Sequence, residues 1–167
     1  MTIRSNYTEA EWDLLTDMPR IAAFGATAAE EGGPMASTRE LWAGMTELAQ
    51  SARTRYPNNT LIQYVLQSVS RPENDDELPI TGWKPNSGEQ LGNAIVEQTL
   101  DTARRAREVL ASQATPQEAA EYTEWVLGIA RASCQAVRTG LLGLTGQSMT
   151  AAEDQYFKDL TAALGAK

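Results

Sequence analysis

Apolar residues recur three and four positions apart through most of the chain, and the strict alternation of a half-buried strand appears nowhere, so the pattern is helical. The longest run, Thr115 to Gly140, gathers Tyr122, Trp125, Val126, Ile129, Ala130, Ser133 and Val137 on one face. A second long helix is expected from just after Ser87 to about Ser112, with Leu91, Ala94, Ile95, Leu100, Ala103, Val109 and Leu110 on its buried side. Only Gln113 and Ala114 separate the two, and so short a connection predicts antiparallel neighbours forming a central hairpin.

Helix starts are marked by a hydroxyl residue followed three positions later by glutamate: Thr8/Glu11, Ser37/Glu40, Thr115/Glu118 and Thr150/Glu153. The hydroxyl oxygen accepts from an orphan backbone N–H, and the carboxylate reaches back to the cap N–H. Pro116 strengthens the third start, because its missing N–H costs nothing in the first turn. Towards the N-terminus, Thr8 to Asp17 reads as a short helix that Met18-Pro19 interrupts, followed by a small-residue helix from Pro19 to Glu31. Gly32-Gly33-Pro34 ends that helix, and Ser37 opens the next, which runs to about Arg55. Tyr56-Pro57-Asn58-Asn59 is a turn signal, after which Leu61, Ile62, Val65, Leu66 and Val69 return to helical period.

The stretch 70–86 differs from the rest. It holds three prolines, the acids Glu73, Asp75, Asp76 and Glu77, and the apolar residues Leu78, Ile80 and Trp83. It is longer than most connections without secondary structure. Its expected role is a surface crossover stapled by Ile80 and Trp83, with a partner-binding loop or lid that presents Trp83, or a disordered segment, as the alternatives. Trp12, Trp42 and Trp125, in contrast, stand at helical spacing as expected core anchors.

At 167 residues the chain suits one domain, 1–167, with an irregular connection at 70–86. The fold class expected is all-α: a single bundle of about six or seven helices. Arg20–Leu48 and Gly128–Leu160 share an order of Ala-rich helix, glycine-bearing turn, capping pair and anchored helix, as two related helical hairpins would.

Charge narrows the functional classes. Fourteen basic against twenty-two acidic residues give a formal net charge of −8, a field that disfavours nucleic acid and anionic membrane surfaces as partners. The N-terminal residues hold no apolar run of signal-peptide length, and no segment approaches the length of a bilayer span, so the expected location is the cytoplasm. Histidine is absent from the sequence, which removes Ser-His-Asp and Cys-His catalysis, HExxH zinc chemistry and Glu-x-x-His di-iron sites. Cys134, the only cysteine, cannot form an intramolecular disulfide and is expected to be a buried small residue.

Thr115-Pro116-Gln117-Glu118, Glu121-Tyr122, Trp125, Gly140-Leu141-Leu142-Gly143 and Thr150-Ala151-Ala152-Glu153, with Glu11-Trp12-Asp13-Leu14-Leu15, resemble a group of uncharacterised bacterial all-helical proteins. That resemblance implies a helical fold and no activity. More distantly, Ala28-Ala29-Glu30-Glu31-Gly32 with Ser37 and Glu40 looks like the helix–turn–helix of tellurite-resistance TerB-like domains, whose turn carries an Ala-Asp-Gly motif associated with metal binding. Glu31 stands at the aspartate position, and the second hairpin has Arg138-Thr139-Gly140 with no acid.

Few residues bear chemistry. Glu30, Glu31 and Glu40, near a glycine turn, are the candidate ligands for a hard divalent cation. Glu97 and Asp101 share a helix face as acid–base or metal-binding carboxylates would, or are exposed charges balanced by Arg104 and Arg105. Arg104, Arg105 and Arg107 read as a solvated face, and the glycines after Gly140 lack the Lys-Ser/Thr ending of a phosphate loop. No cofactor is implied. The reading that follows is a non-catalytic module that binds another protein or its own copy through a flat apolar patch. The alternative is a TerB-like domain that binds a small ligand or divalent cation in a concavity. Catalysis is the least supported class.

Overall fold

The computed structural model describes residues 4–29, 38–69, 88–141 and 149–166, with side chains described in those ranges except at 38–45, 88–91 and 136–141. The described residues form a 3₁₀ turn (Arg4–Asn6) and six α-helices: α1 (Glu9–Ala28), α2 (Thr38–Thr54), α3 (Thr60–Val69), α4 (Gly88–Gln113), α5 (Pro116–Leu141) and α6 (Ala151–Leu164). No strand occurs among them, and none of these helices is long and apolar enough to cross a membrane. The chain is an all-helical bundle, as the periodicity predicts.

The capping pairs act as the spacing requires. Glu11 N donates to Thr8 Oγ1 at 3.3 Å while Thr8 N donates to Glu11 Oε2 at 2.8 Å. Thr150 N donates to Glu153 Oε2 at 2.6 Å, and Glu153 N donates to Thr150 Oγ1 at 3.1 Å. At the start of α5, Glu118 N reaches Thr115 Oγ1 at 3.3 Å and the Thr115 hydroxyl bonds the Glu118 carboxylate at 2.8 Å. Each pair satisfies donors that the first helical turn leaves without a partner. The pair Ser37/Glu40 lies outside the described residues and side chains, although α2 begins at Thr38.

Two expectations need correction. Pro19 does not break the N-terminal helix: α1 runs unbroken from Glu9 to Ala28 with Pro19 inside it. A proline at position 19 leaves the Leu15 carbonyl without its helical donor, and the buried Tyr122 hydroxyl of α5 fills that place at 2.6 Å. Nor are α4 and α5 a central hairpin. They touch each other little, and α1 packs extensively on both, so the short link at Ala114–Thr115 turns the chain without laying the two helices together.

Small residues make α1 the wedge. Its buried side carries Ala22, Ala23, Gly25, Ala26 and Ala28, which lets α4 and α6 approach closely. A Cβ on Gly25 would stand 2.6 Å from the Tyr156 hydroxyl and 2.7 Å from Thr99 Oγ1, and one on Gly92 would stand 2.7 Å from the Ala28 carbonyl. Hydrogen bonds then tie the helices together: Tyr156 OH donates to Ala22 O at 2.8 Å and Trp125 Nε1 donates to Leu48 O at 3.2 Å. Asn59 caps α3 through Ile62 N at 3.0 Å, and its amide reaches the Glu118 carbonyl and the Glu121 carboxylate of α5. Around these bonds Leu15, Met18, Leu48, Leu61, Ile62, Val65, Val126, Ile129 and Leu160 are fully enclosed, each contributing about 1.5–3 kcal/mol by leaving water.

The contacts do not follow the symmetry of two equivalent hairpins. The main partner of α2 is α5, whereas that of α6 is α4. The stretch 70–86 lies outside the described residues.

Candidate groove between four helices

Because α1 keeps α4 and α5 apart, a concavity opens where the last turns of α4, the outer face of α5 and the C-terminal ends of α2 and α6 converge. Its volume is about 970 Å³. The floor is α5, from Ala119 through Ala120, Thr123, Leu127, Gly128 and Ala132 to Gln135. These side chains are mostly small because the bulky ones of α5, Tyr122, Trp125, Val126 and Ile129, are turned into the core. The 3.6-residue period that buries one face of α5 leaves this shallow one outside.

α2 and the turn that follows it bring Glu47, Arg55 and Tyr56 to the rim. Arg55 and Glu47 stand 3.8 Å apart as an exposed ion pair, of the kind that contributes little to stability. The Tyr56 phenol is held above its ordinary pKa, first by burial and then by the Glu124 carboxylate to which it donates. The cations and acids on this side therefore answer one another.

The side built by α4 and α6 differs. Arg131 of α5 lays its guanidinium over the Phe157 ring, with the carbon 4.7 Å from the ring centroid, a stacking that orients the N–H edge without consuming it. Arg107 of α4 packs on Gly165, the left-handed residue (φ +76°) that ends α6, where its positive charge suits the helix C-terminus. Neither arginine has a carboxylate partner among the described residues. Leu110, Leu164 and Thr161 complete this side.

Gly128 sits in the middle of the floor. A glycine inside a helix costs about 1 kcal/mol relative to alanine, and at Gly25 and Gly92 a close neighbour explains it. At Gly128 nothing among the described residues lies within 4 Å of a Cβ.

The sequence candidates fall elsewhere. Glu30, Glu31 and Trp83 lie outside the described residues, and the side chain of Glu40 does too, so the cation site and the contact tryptophan stay as sequence expectations. Glu97 and Asp101 are exposed, and Asp101 stands 3.9 Å from Arg104, the reading as charges on a solvated face. Cys134 is buried, as expected. Among the described residues no three acidic or cysteine side chains converge as metal ligands do. The expected flat apolar patch is not on the described surface, where Tyr64 is the one large hydrophobic side chain that is exposed. Sequence reasoning missed the groove, although Gly128 inside a long amphipathic helix was a legible signal of it. Neither family models, nor curated proteins, nor solved structures match the chain.

Proposed function

We propose that the protein is a non-catalytic interaction module of the cytoplasm that receives a helical segment of a partner protein in the groove along α5. The observation that carries this reading is the floor. From Ala119 to Gln135 the groove follows α5 for seventeen residues, roughly 24 Å at the helical rise. That is four turns of a docked helix, longer than a compact small molecule requires. Small side chains and Gly128 let a second backbone approach, and the half-buried Leu127 offers an apolar contact to an anchor of the docked helix.

The test compares partner capture by the native chain, by Gly128→Trp, which fills the open space of the floor, and by Glu97→Ala on an exposed face away from the groove. A partner retained by the native chain and by Glu97→Ala but lost by Gly128→Trp, with helical circular dichroism unchanged, supports the reading. A partner held equally by all three contradicts it.

A further inference from the structure

Resting on that reading, we infer that the helix bound in the groove is acidic, with two carboxylates about two turns apart that seat on Arg107 and Arg131. Fourteen bases face twenty-two acids in this chain, so an arginine here has carboxylates in excess to choose from. Arg20, Arg55 and Arg104 each pair with one. Arg4, Arg53, Arg105, Arg107 and Arg131 pair with none among the described residues, and of these Arg107 and Arg131 line the groove, both against α6 or its C-terminal cap.

Their supports fix their spacing. Arg131 stacks on Phe157 and Arg107 lies on Gly165, positions eight residues apart along α6 and so about 12 Å apart. On an incoming helix, residues i and i+7 share one face at nearly that separation. Each guanidinium keeps an N–H edge for a planar carboxylate, and a charge-assisted pair beside an apolar floor is stronger than the same pair in open water. The net charge of −8 disfavours an acidic helix in general, which favours docking where the two arginines stand. At the α2 end of the groove Arg55 is already answered by Glu47, which leaves the α6 side to draw the acids of the ligand.

Three synthetic amphipathic peptides of about twenty residues, sharing one leucine face and carrying two Glu, two Gln or two Lys at i and i+7, are titrated into the intact protein by fluorescence anisotropy. The Glu peptide is expected to bind at least about tenfold more tightly than the Gln peptide and to weaken as salt rises, while the Lys peptide binds worst. Arg131→Gln should abolish the preference for Glu over Gln, and Arg107→Lys, which keeps the charge at the end of α6, should reduce it. Equal binding of the Glu and Gln peptides, or a preference unchanged by both variants, overturns the acidic assignment and leaves the groove reading standing. Failure of all three peptides to bind overturns the groove reading itself. If the isolated protein is a dimer in native mass spectrometry and Gly128→Trp splits it, the occupant is a second copy and the inference falls.

Discussion

The Tyr122 hydroxyl donates to the Leu15 carbonyl at 2.6 Å, the carbonyl four residues before Pro19 that no helical N–H can reach. The bond joins helices 107 positions apart in sequence, and it explains how α1 stays continuous through a proline. Removing the hydroxyl with Tyr122→Phe leaves a buried carbonyl without a donor, and urea unfolding should show a loss of about 1–3 kcal/mol. In a Pro19→Ala background residue 19 supplies its own N–H, and the loss should shrink to less than about 1 kcal/mol. The same loss in both backgrounds would show that the hydroxyl does not stand in for the missing helical bond.

Glycine-to-alanine substitutions should separate by sign. Gly128→Ala places a methyl group in open space and should stabilise the protein by about 0.5–1 kcal/mol. Gly25→Ala and Gly92→Ala should destabilise it, because their Cβ atoms would fall at 2.6 Å from the Tyr156 hydroxyl and 2.7 Å from the Ala28 backbone oxygen. Thermal melts of the three variants check the ordering, and a destabilising Gly128→Ala contradicts it.

High pH should unfold the bundle through its interior tyrosines. Burial above all pushes Tyr122 and Tyr156 well above the usual pKa of 10. Below pH 10 both groups are protonated folded or unfolded and contribute no pH dependence. Above it the unfolded chain loses their protons while the folded chain keeps them, so stability falls by about 1.4 kcal/mol per pH unit for each. Urea midpoints between pH 9 and 11.5 should therefore decline steeply, and Tyr156→Phe should halve the share due to this pair. Of the five tyrosines, these two should ionise only as the protein unfolds, followed by absorbance at 295 nm. Ionisation of all five ahead of unfolding contradicts this.

What was legible in the sequence was local. Thr8, Thr115 and Thr150 signal their helix starts because a cap and its glutamate lie within one turn, and the faces of α3 and α5 follow from period alone. Pro19 misleads because its compensation comes from Tyr122, which no window around the proline contains. The expected hairpin of α4 and α5 fails for a related reason. A two-residue link constrains where the helices meet, but the small side of α1, with Gly25 and with Gly92 opposite on α4, decides which helices pack. The groove is a product of that displacement. Arg107, Gly128 and Arg131 stand on two helices whose separation no pattern along the chain records, and Arg107 reads from sequence alone as one more charge on a wet face.

The claim that a partner helix lies along α5 is tested most directly by a photoreactive side chain at the groove rim. p-Benzoylphenylalanine is placed at Gln135, which lines the groove, and separately at Glu97, which does not, and each protein is irradiated in its native cells. An adduct from position 135 alone, mapped to an amphipathic segment of another protein and lost with Gly128→Trp, is the expected result. Adducts from position 97 with none from 135, or adducts at 135 that persist with Gly128→Trp, would contradict it.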